Sequence, residues 1–461
     1  MVSISGIRGI VGDSLTPDVV VRYAAGFAEY CQRRFPTNPA VVIGRDGRLT
    51  GGMILDIAAG TLAAKGMTVR TIGICPTPTV QLAVERGGAA GGIAVTASHN
   101  PIEWNGLKFM ASTGMFLDAE ENREFWGLAA QEQSYPTWEG AGKSIGDSSW
   151  IRKHIDAVLS LPFLNPARIR RRGFTVVLDC INAAGGVIVP QLLEELGCHV
   201  VLMNGDVSGV FARTPEPVPE NLDAVAKQVR ASGADLAVVV DPDVDRLVLI
   251  NEVAEPYGEE YTIATAVEFV LSTTAKSPGG SQGAPARSVV VNLSTTRAVD
   301  DIAARHGAHC FRTPVGEINV ARRMKQEGSV IGGEGSGGVI LPAVHLGRDA
   351  IVGIALILQA LADSGKPLSE LKRSLPEYHI AKGKIPLGST SPAEVMAKLQ
   401  SKYESKARVN TDDGMKFDFP EYWVHLRKSN TEPIMRVIAE AKSMQEAQAI
   451  LSEFKREIER V

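Results

Sequence analysis

A chain of 461 residues, at roughly 100–200 residues per domain, suggests about three domains and excludes a single small module. Its 44% apolar and 22% charged residues are ordinary for a water-soluble globular protein. The formal net charge of −4, from 48 basic against 52 acidic residues, excludes a general nucleic-acid binder and leaves room only for a local basic pocket.

The N-terminal MVSISGIRGIVGD has no basic region followed by an apolar run, so no secretory signal is expected. From there three blocks share one rhythm. A β-branched run ends in a polar loop at Ala40–Asp46, Phe174–Asp179 and Ser288–Asn292. Each is followed by a helix-compatible stretch, then by a glycine and a second strand candidate at Gly66–Gly73, Gly197–Asn204 and Gly307–Thr313. Each block closes on a third strand running into an unusual loop: GGIAVTASHNP, LAVVVDPDVDR and SVIGGEGSGG. Apolar strands alternating with helical patterns predict parallel sheets covered by helices, with ligands outside the carboxyl ends of the strands.

Gly140–Trp150 and the Gly/Ser/Pro-rich Ser272–Arg287 read as boundary loops. The most apolar stretch, Val352–Ala362, is about half of the ~20 residues a membrane span requires. After about Pro376 the pattern changes to a helix over Pro392–Tyr403, strands at Tyr422–Leu426 and Ile434–Ala439, and an amphipathic helix over Ser443–Ile458. Three similar α/β domains with mainly parallel mixed sheets, over 1–150, 151–255 and 256–374, and a C-terminal α+β domain over 375–461, are therefore expected around a central cleft. Five scattered cysteines (Cys31, Cys75, Cys180, Cys198, Cys310), with no C-x-x-C pair, predict buried thiols in a reducing, cytoplasmic setting.

Four loops can carry chemistry. In Thr96–Pro101 (TASHNP), Ser98 beside His99 follows a buried strand. With no G-x-S-x-G elbow a hydrolase nucleophile is disfavoured, whereas a phosphoryl group on the serine, neutralised by Lys108, fits; the same residues also make an ordinary turn. In Asp241-Pro242-Asp243-Val244-Asp245-Arg246 three alternating carboxylates can converge on a hard cation. An EF-hand fails despite Glu252 in the twelfth position, because Arg246 stands where glycine is needed and both flanks read as strands. Gly332–Gly338 formally contains G-x-G-x-x-G, yet VILPAV follows instead of a helix, so it is read as a loop presenting Glu334 and Ser336. In Arg427–Pro433 (RKSNTEP), Arg427 with Ser429, Asn430 and Thr431 can cradle an anion or form a capped turn.

TASHNP, DPDVDR, GEGSGG and RKSNTEP occur in that order, one per expected domain, together with SGIRG at Ser5–Gly9 and IGRDGR at Ile43–Arg48. Over essentially its whole length the chain resembles the α-D-phosphohexomutase superfamily, the phosphoglucomutases, phosphomannomutases and phosphoglucosamine mutases. The resemblance implies an intramolecular phosphotransferase that interconverts hexose 6- and 1-phosphates through a phosphoserine at Ser98 and a hexose bisphosphate intermediate. It implies Mg²⁺ on Asp241, Asp243, Asp245 and a Ser98 phosphate oxygen. Glu334 and Ser336 would grip sugar hydroxyls, and Arg427, Ser429, Asn430 and Thr431 the phosphate that is not transferred. Arg8, Arg45, His99, Lys108 and Arg246 would line the reacting end.

The sugar loop has Gly338 where many bacterial members have histidine, and the metal loop reads DPDVDR where many read DGDGDR. Both point to the archaeal-type branch, although that branch commonly carries asparagine where Ser336 stands. The implied substrate is glucosamine phosphate, with mannose and glucose phosphates as alternatives. A non-catalytic sugar-phosphate binder and a phosphatase are the rival classes. A monomer or homodimer, with no nucleic-acid or membrane partner, is expected.

Overall fold

The computed structural model describes residues 2–3, 6–37, 39–274, 287–387, 391–428 and 434–460. One four-strand plan occurs three times. Its strands are Ala40–Arg45, Thr68–Ile74, Gly91–Val95 and Trp104–Ala111 in the first copy. In the second they are Thr175–Asp179, His199–Met203, Leu236–Val240 and Leu247–Asn251, and in the third Ser288–Asn292, His309–Thr313, Ile331–Glu334 and Gly338–Ile340. In every copy the spatial order is fourth, third, first, second. The first three strands are parallel and the fourth returns antiparallel beside the third. This return strand, read from the sequence only after the acidic loop (LVLI), makes each unusual loop the turn of a hairpin at the carboxyl end of a central strand.

The first sheet is widened by Gly6–Ile10 and Val2–Ser3 on one side and by Lys143–Gly146 on the other. The last strand lies within the stretch expected to be a boundary loop; it is an exposed edge strand parallel to Thr68–Ile74. Of the expected loop Ser272–Arg287, residues 275–286 lie outside the described residues.

The central strands read LAVVV and SVVVN because both of their faces are covered, and every residue in them is buried. The apolar stretch near residue 352 is the helix Ala350–Ser364, capped by the Asp349 side chain and ended at Gly365 in a left-handed conformation (φ 70°). Its residues 350–362 are all buried. It packs against the helices Glu259–Thr274, Trp150–Leu159 and Pro166–Arg172, so the core runs unbroken from the second sheet into the third. A helix apolar on all sides is a core helix here. Among the described residues no helix is long and apolar enough to cross a membrane.

The C-terminal domain is a five-stranded antiparallel sheet, ordered His379–Pro386, Ile434–Ala441, Trp423–Lys428, Met415–Asp418, Arg408–Asn410. The helices Pro392–Tyr403 and Met444–Glu459 accompany it. It is tied to the third domain by Arg297, whose backbone N–H donates to Glu440 (2.9 Å) and whose guanidinium donates to the carbonyls of Pro420 (2.9 Å) and Phe419 (2.9 Å). All five cysteines are free thiols, three of them buried.

Three domains meet at Asp349. His154 Nε2 (2.7 Å) and His345 Nε2 (3.0 Å) both reach its Oδ2, while Thr79 of the first domain bonds His154 Nδ1 (2.9 Å). Burial opposes ionisation of Asp349, but the facing His154 and the bonds from both imidazoles outweigh it and hold the carboxyl well below its usual range. A carboxylate depressed in the folded state contributes stability above its unfolded pKa of about 3.9, lost as pH falls through the folded value. Asp349→Asn should therefore cost about 3–5 kcal/mol near neutral pH. In urea unfolding the gap to the parent should narrow at about pH 3; an equal gap at both pH values would contradict this account.

Candidate active site

The serine loop is shaped by a buried arginine. Ser98, 6% exposed, has φ 49°, a left-handed conformation that costs a non-glycine residue on the order of 1–3 kcal/mol and persists only when its surroundings impose it. Arg48, 0% exposed, imposes it. Its two terminal nitrogens donate to the carbonyls of Ser98 (2.6 Å), Asn100 (2.7 Å), Pro101 (2.7 Å) and Trp104 (2.8 Å). Asp46 completes the clamp, accepting from Arg48 N (2.9 Å) and from Thr96 Oγ1 (2.6 Å), which in turn accepts from Ser98 N (2.8 Å).

Ser98 Oγ thereby lies 3.2 Å from Asp241 Oδ2 of the second domain and 3.3 Å from His99 Nδ1. Asp241, Asp243 and Asp245 are each 0% exposed, with one carboxylate oxygen apiece inside a cluster spanning 4.8 Å. Between them Val244 takes φ 60°, an outlier for a β-branched residue; this is where the resemblance puts glycine in many members. The turn is held by Ala350 N donating to Val244 O (3.2 Å) and Leu247 N donating to Gly337 O (2.9 Å), both from the third domain.

Three buried like charges need cations. Lys108 of the first domain donates to Asp243 Oδ2 (2.7 Å) and lies 3.5 Å from Asp245; Arg348 of the third donates to Asp245 Oδ2 (2.5 Å). Thr77 of the first domain also donates to Asp243 Oδ2 (2.7 Å). Burial alone would raise the Asp243 pKa, but Lys108 and these bonds outweigh it and hold it below the carboxylate range. Asp241, next to Ser98, is instead raised by burial and by its two carboxylate neighbours. Lys108 is likewise lowered by burial but raised on balance by Asp243 and Asp245, so it is an ammonium. His99 is pushed down to about 2, by burial and then by Arg246, so its imidazole is neutral.

Asp243 Oδ1 and Asp245 Oδ1 are buried with no hydrogen-bond partner among the described residues. Unpaired oxygens on a clustered carboxylate set fit a small divalent cation such as Mg²⁺.

Of the other expected residues, Arg8 donates to Asn100 Oδ1 in the serine loop (3.0 Å), and Arg45 donates to the Asp46 carbonyl (3.0 Å). Arg246 follows the acidic cluster, its backbone N–H on Asp241 Oδ1 (3.2 Å). Glu334, 4% exposed, is fixed by Asn292 Nδ2 (2.8 Å), Gly316 N (3.0 Å) and Arg348 (2.6 Å). Ser336 is half-buried in the hairpin turn beside it.

Arg427 lies at the end of its strand, ion-paired through Nε with Asp413 Oδ2 (2.9 Å), and that oxygen accepts a hydrogen bond from Val315 N of the third domain (2.9 Å). Ser429, Asn430 and Thr431 lie outside the described residues. The adjoining sheet carries a further signal: Arg427 is paired directly with Arg436, and Arg436 with Lys384. Directly opposed residues share a face, and like charges there are destabilising. Arg436 also faces Arg8 of the first domain; burial first, then this second guanidinium, lowers the Arg8 pKa. Cations gathered from two domains make a positive field that an anion can relieve.

Sequence reasoning missed Arg48, Arg348, Thr77 and Glu317. Arg48 closes the IGRDGR motif, so its signal was present; Arg348 stands in HLGRDA, where only a lone charge before a buried helix marks it.

Three copies of one α/β plan, an antiparallel fourth domain and a serine set over a buried acidic triad define the architecture of the α-D-phosphohexomutases. The chain belongs to the phosphoglucomutase/phosphomannomutase family, matching its α/β/α domains I, II and III over residues 2–136, 152–254 and 260–378 and its C-terminal domain over 386–457. It is 37% identical over 449 residues, 97% of this chain and 95% of the relative, to "Phosphoglucomutase/phosphomannomutase" of Thermococcus kodakarensis. It is 33% identical over 452 residues, 98% of this chain and 96% of the relative, to "Probable phosphoglucosamine mutase" of Methanopyrus kandleri. The fold matches the crystal structure of a phosphoglucomutase/phosphomannomutase family protein from Burkholderia thailandensis with a TM-score of 0.85 at 24% identity, covering 100% of this chain and 98% of that one.

The clamp on the serine loop is directly testable. Arg48→Lys keeps a cation beside Asp46 but cannot reach four carbonyls. Each buried carbonyl left without a donor costs on the order of 1–3 kcal/mol. The variant should lose at least about 2 kcal/mol of unfolding free energy, together with most of its turnover; unchanged stability would refute the clamp.

Proposed function

We propose that this protein is a phosphohexomutase that interconverts glucosamine 6-phosphate and glucosamine 1-phosphate through a phosphoserine at Ser98. The observation that carries the reading is Ser98 Oγ, from one domain, 3.2 Å from the Asp241 carboxylate of another, beside two carboxylate oxygens that have no hydrogen-bond partner among the described residues. Glucosamine is favoured by relatives named as phosphoglucosamine mutases. Glucose and mannose phosphates form the second reading, because the 37% identical relative carries the phosphoglucomutase/phosphomannomutase name.

In the proposed cycle the phosphoryl group on Ser98 passes to the free hydroxyl of a bound hexose monophosphate. The Oγ–P bond breaks, a P–O bond to the sugar forms, and the hydroxyl proton leaves to a base at the reacting end. The bisphosphate turns end for end, its other sugar O–P bond breaks as that phosphoryl group returns to Ser98 Oγ, and the sugar oxygen set free takes the proton back from the base, leaving the isomeric monophosphate. Such transfer depends on positioning and charge neutralisation more than on covalent chemistry. The Lys108 ammonium and Arg8 balance charge on the transferring group, and neutral His99 lies beside Oγ. Asp241, Asp243 and Asp245 would hold Mg²⁺, which when bound makes the seryl oxygen a better leaving group. Glu334 and Ser336 hold sugar hydroxyls. Arg427, with Ser429, Asn430 and Thr431, holds the phosphate not being transferred, in the field of Arg436 and Lys384. Arg45 and Arg246 lie around the reacting end. The four domains close the cleft against water, which would otherwise intercept the phosphoserine.

Intact-mass and peptide analysis should find phosphate on Ser98. With a hexose 1,6-bisphosphate activator, the protein should turn over glucosamine phosphate faster than glucose or mannose phosphate, and Ser98→Ala should abolish turnover. Phosphate on another serine with an active Ser98→Ala variant would refute the reading; a preference for glucose or mannose would select the second.

Arg427 contributes the same charge-assisted grip before and during transfer, so its removal should act mainly on KM. Arg427→Ala should raise KM by tenfold or more, since a hydrogen bond to a charged group contributes about 1.5–3 kcal/mol. It should also release free bisphosphate during steady-state turnover. A normal KM with a collapsed kcat would place Arg427 at the reacting end instead.

A further inference from the structure

Arg348 belongs to none of the four expected loops, yet it touches two of them. Its side chain is 11% exposed, and each of its three nitrogens meets a different carboxylate. One terminal nitrogen donates to Asp245 Oδ2 in the metal loop (2.5 Å), the other to Glu334 Oε2 in the sugar loop (2.6 Å), and Nε to Glu317 Oε2 (3.1 Å). Glu317 is itself held by Gln81 Nε2 of the first domain (2.9 Å). Burial opposes the guanidinium charge, but Asp245, Glu334 and Glu317 raise its pKa well above the ordinary value.

The backbone around Arg348 is built for this reach. At Gly338 a Cβ would stand 2.3 Å from Arg348 Cδ, and at Gly347 one would stand 2.2 Å from Gln81 Oε1. Gly338 thus keeps open the path along which the arginine crosses the sugar hairpin. On its other side Asp349 is pinned by two histidines, and Ala350 N is bonded to Val244 O inside the metal loop (3.2 Å). The backbone that carries Arg348 is therefore fixed beside both loops, and its guanidinium can shift weight between them.

We propose that Arg348 is a shared counter-ion that couples occupancy of the Asp241/Asp243/Asp245 site to recognition of the sugar by Glu334. The proposal rests on the metal and sugar roles given above. A divalent cation on the triad draws on the same Asp245 carboxylate that Arg348 now neutralises, and the two positive charges repel at short range. As the cation takes over Asp245, the guanidinium is left to Glu334 and Glu317, and the sugar loop is held more firmly. Linkage makes the effect reciprocal: sugar phosphate that tightens the Arg348–Glu334 pair lowers the competition for Asp245.

The coupling has a sign that simple scaffolding does not share. Removing the Arg348 charge should improve cation binding while impairing sugar binding. Isothermal titration of the dephosphorylated protein, which has no phosphoryl group to donate, measures both without turnover. Arg348→Met should bind Mg²⁺ at least about threefold more tightly, and glucosamine 6-phosphate about tenfold more weakly. In the parent, saturating Mg²⁺ should tighten glucosamine 6-phosphate by about fivefold or more, and in Arg348→Met that factor should fall to near one. Gly338→Ala keeps the charge but blocks its path, and should lose the same coupling factor; Arg348→Lys should restore the parent's weaker Mg²⁺ binding.

If both affinities fall together in Arg348→Met, or the coupling factor survives in Arg348→Met and Gly338→Ala, the proposal is overturned. Should the parent bind no Mg²⁺, or Asp243→Asn bind it equally well, the metal reading fails and the proposal falls with it. Intact Mg²⁺ binding with the wrong sign in Arg348→Met isolates the failure to Arg348.

Discussion

The structure turns on the cost of burying three carboxylates within a few ångströms of one another. Asp241, Asp243 and Asp245 sit at the end of a strand buried on both faces, where an uncompensated charge is very unfavourable. The second domain's own Arg246 stands 3.9 Å from Asp245, and the shorter contacts come from outside it, Lys108 from the first domain and Arg348 from the third. Electrostatics therefore joins the three domains at the point where chemistry needs them joined. The hydroxyl of Ser98 reaches the cluster because its loop is carried on the sheet that supplies Lys108.

The helix Thr77–Arg86 gives this constraint its rigid backing. Residues 77–84 are all buried: the helix packs on the strands of its own first domain and, on its other side, against the second-domain helix Trp150–Leu159. Thr77 bonds Asp243, Thr79 bonds His154 and Gln81 bonds Glu317, so a few polar side chains on one short helix register both neighbouring domains. In a low-dielectric interior such bonds are strong and directional. They fix where the second and third domains sit against the first.

The sequence was legible where periodicity or local chemistry carried the information. Three strand–helix rhythms ending in odd loops correspond to three sheets of one plan, because strands covered on both faces must be apolar throughout. The acidic loop and the serine loop were readable since their residues are contiguous. Arg348 was not, because its partners lie 103 and 14 positions away and an isolated arginine carries no pattern. Arg48 was quoted within a motif without its role, which depends on carbonyls about fifty residues downstream. The row Arg427, Arg436 and Lys384 is likewise a product of strand register, and register appears only once the strands pair.

The dependence of one domain's charges on its neighbours also has a temporal side. As the chain leaves the ribosome, the acidic loop is complete at Arg246, yet Arg348 follows Asp245 by 103 positions. Until that stretch emerges, the loop has Lys108 and its own Arg246 but not Arg348, and water must solvate the remaining charge. The second domain can form its sheet in that interval, but the left-handed turn at Val244 has not received the bond from Ala350 that helps to hold it. The half-made protein therefore carries an open, hydrated acidic loop, and synthesis of the third domain is the event that shuts it. A nascent chain cannot complete the neutralisation of this cluster early, because one of its cations lies 103 positions beyond the last carboxylate.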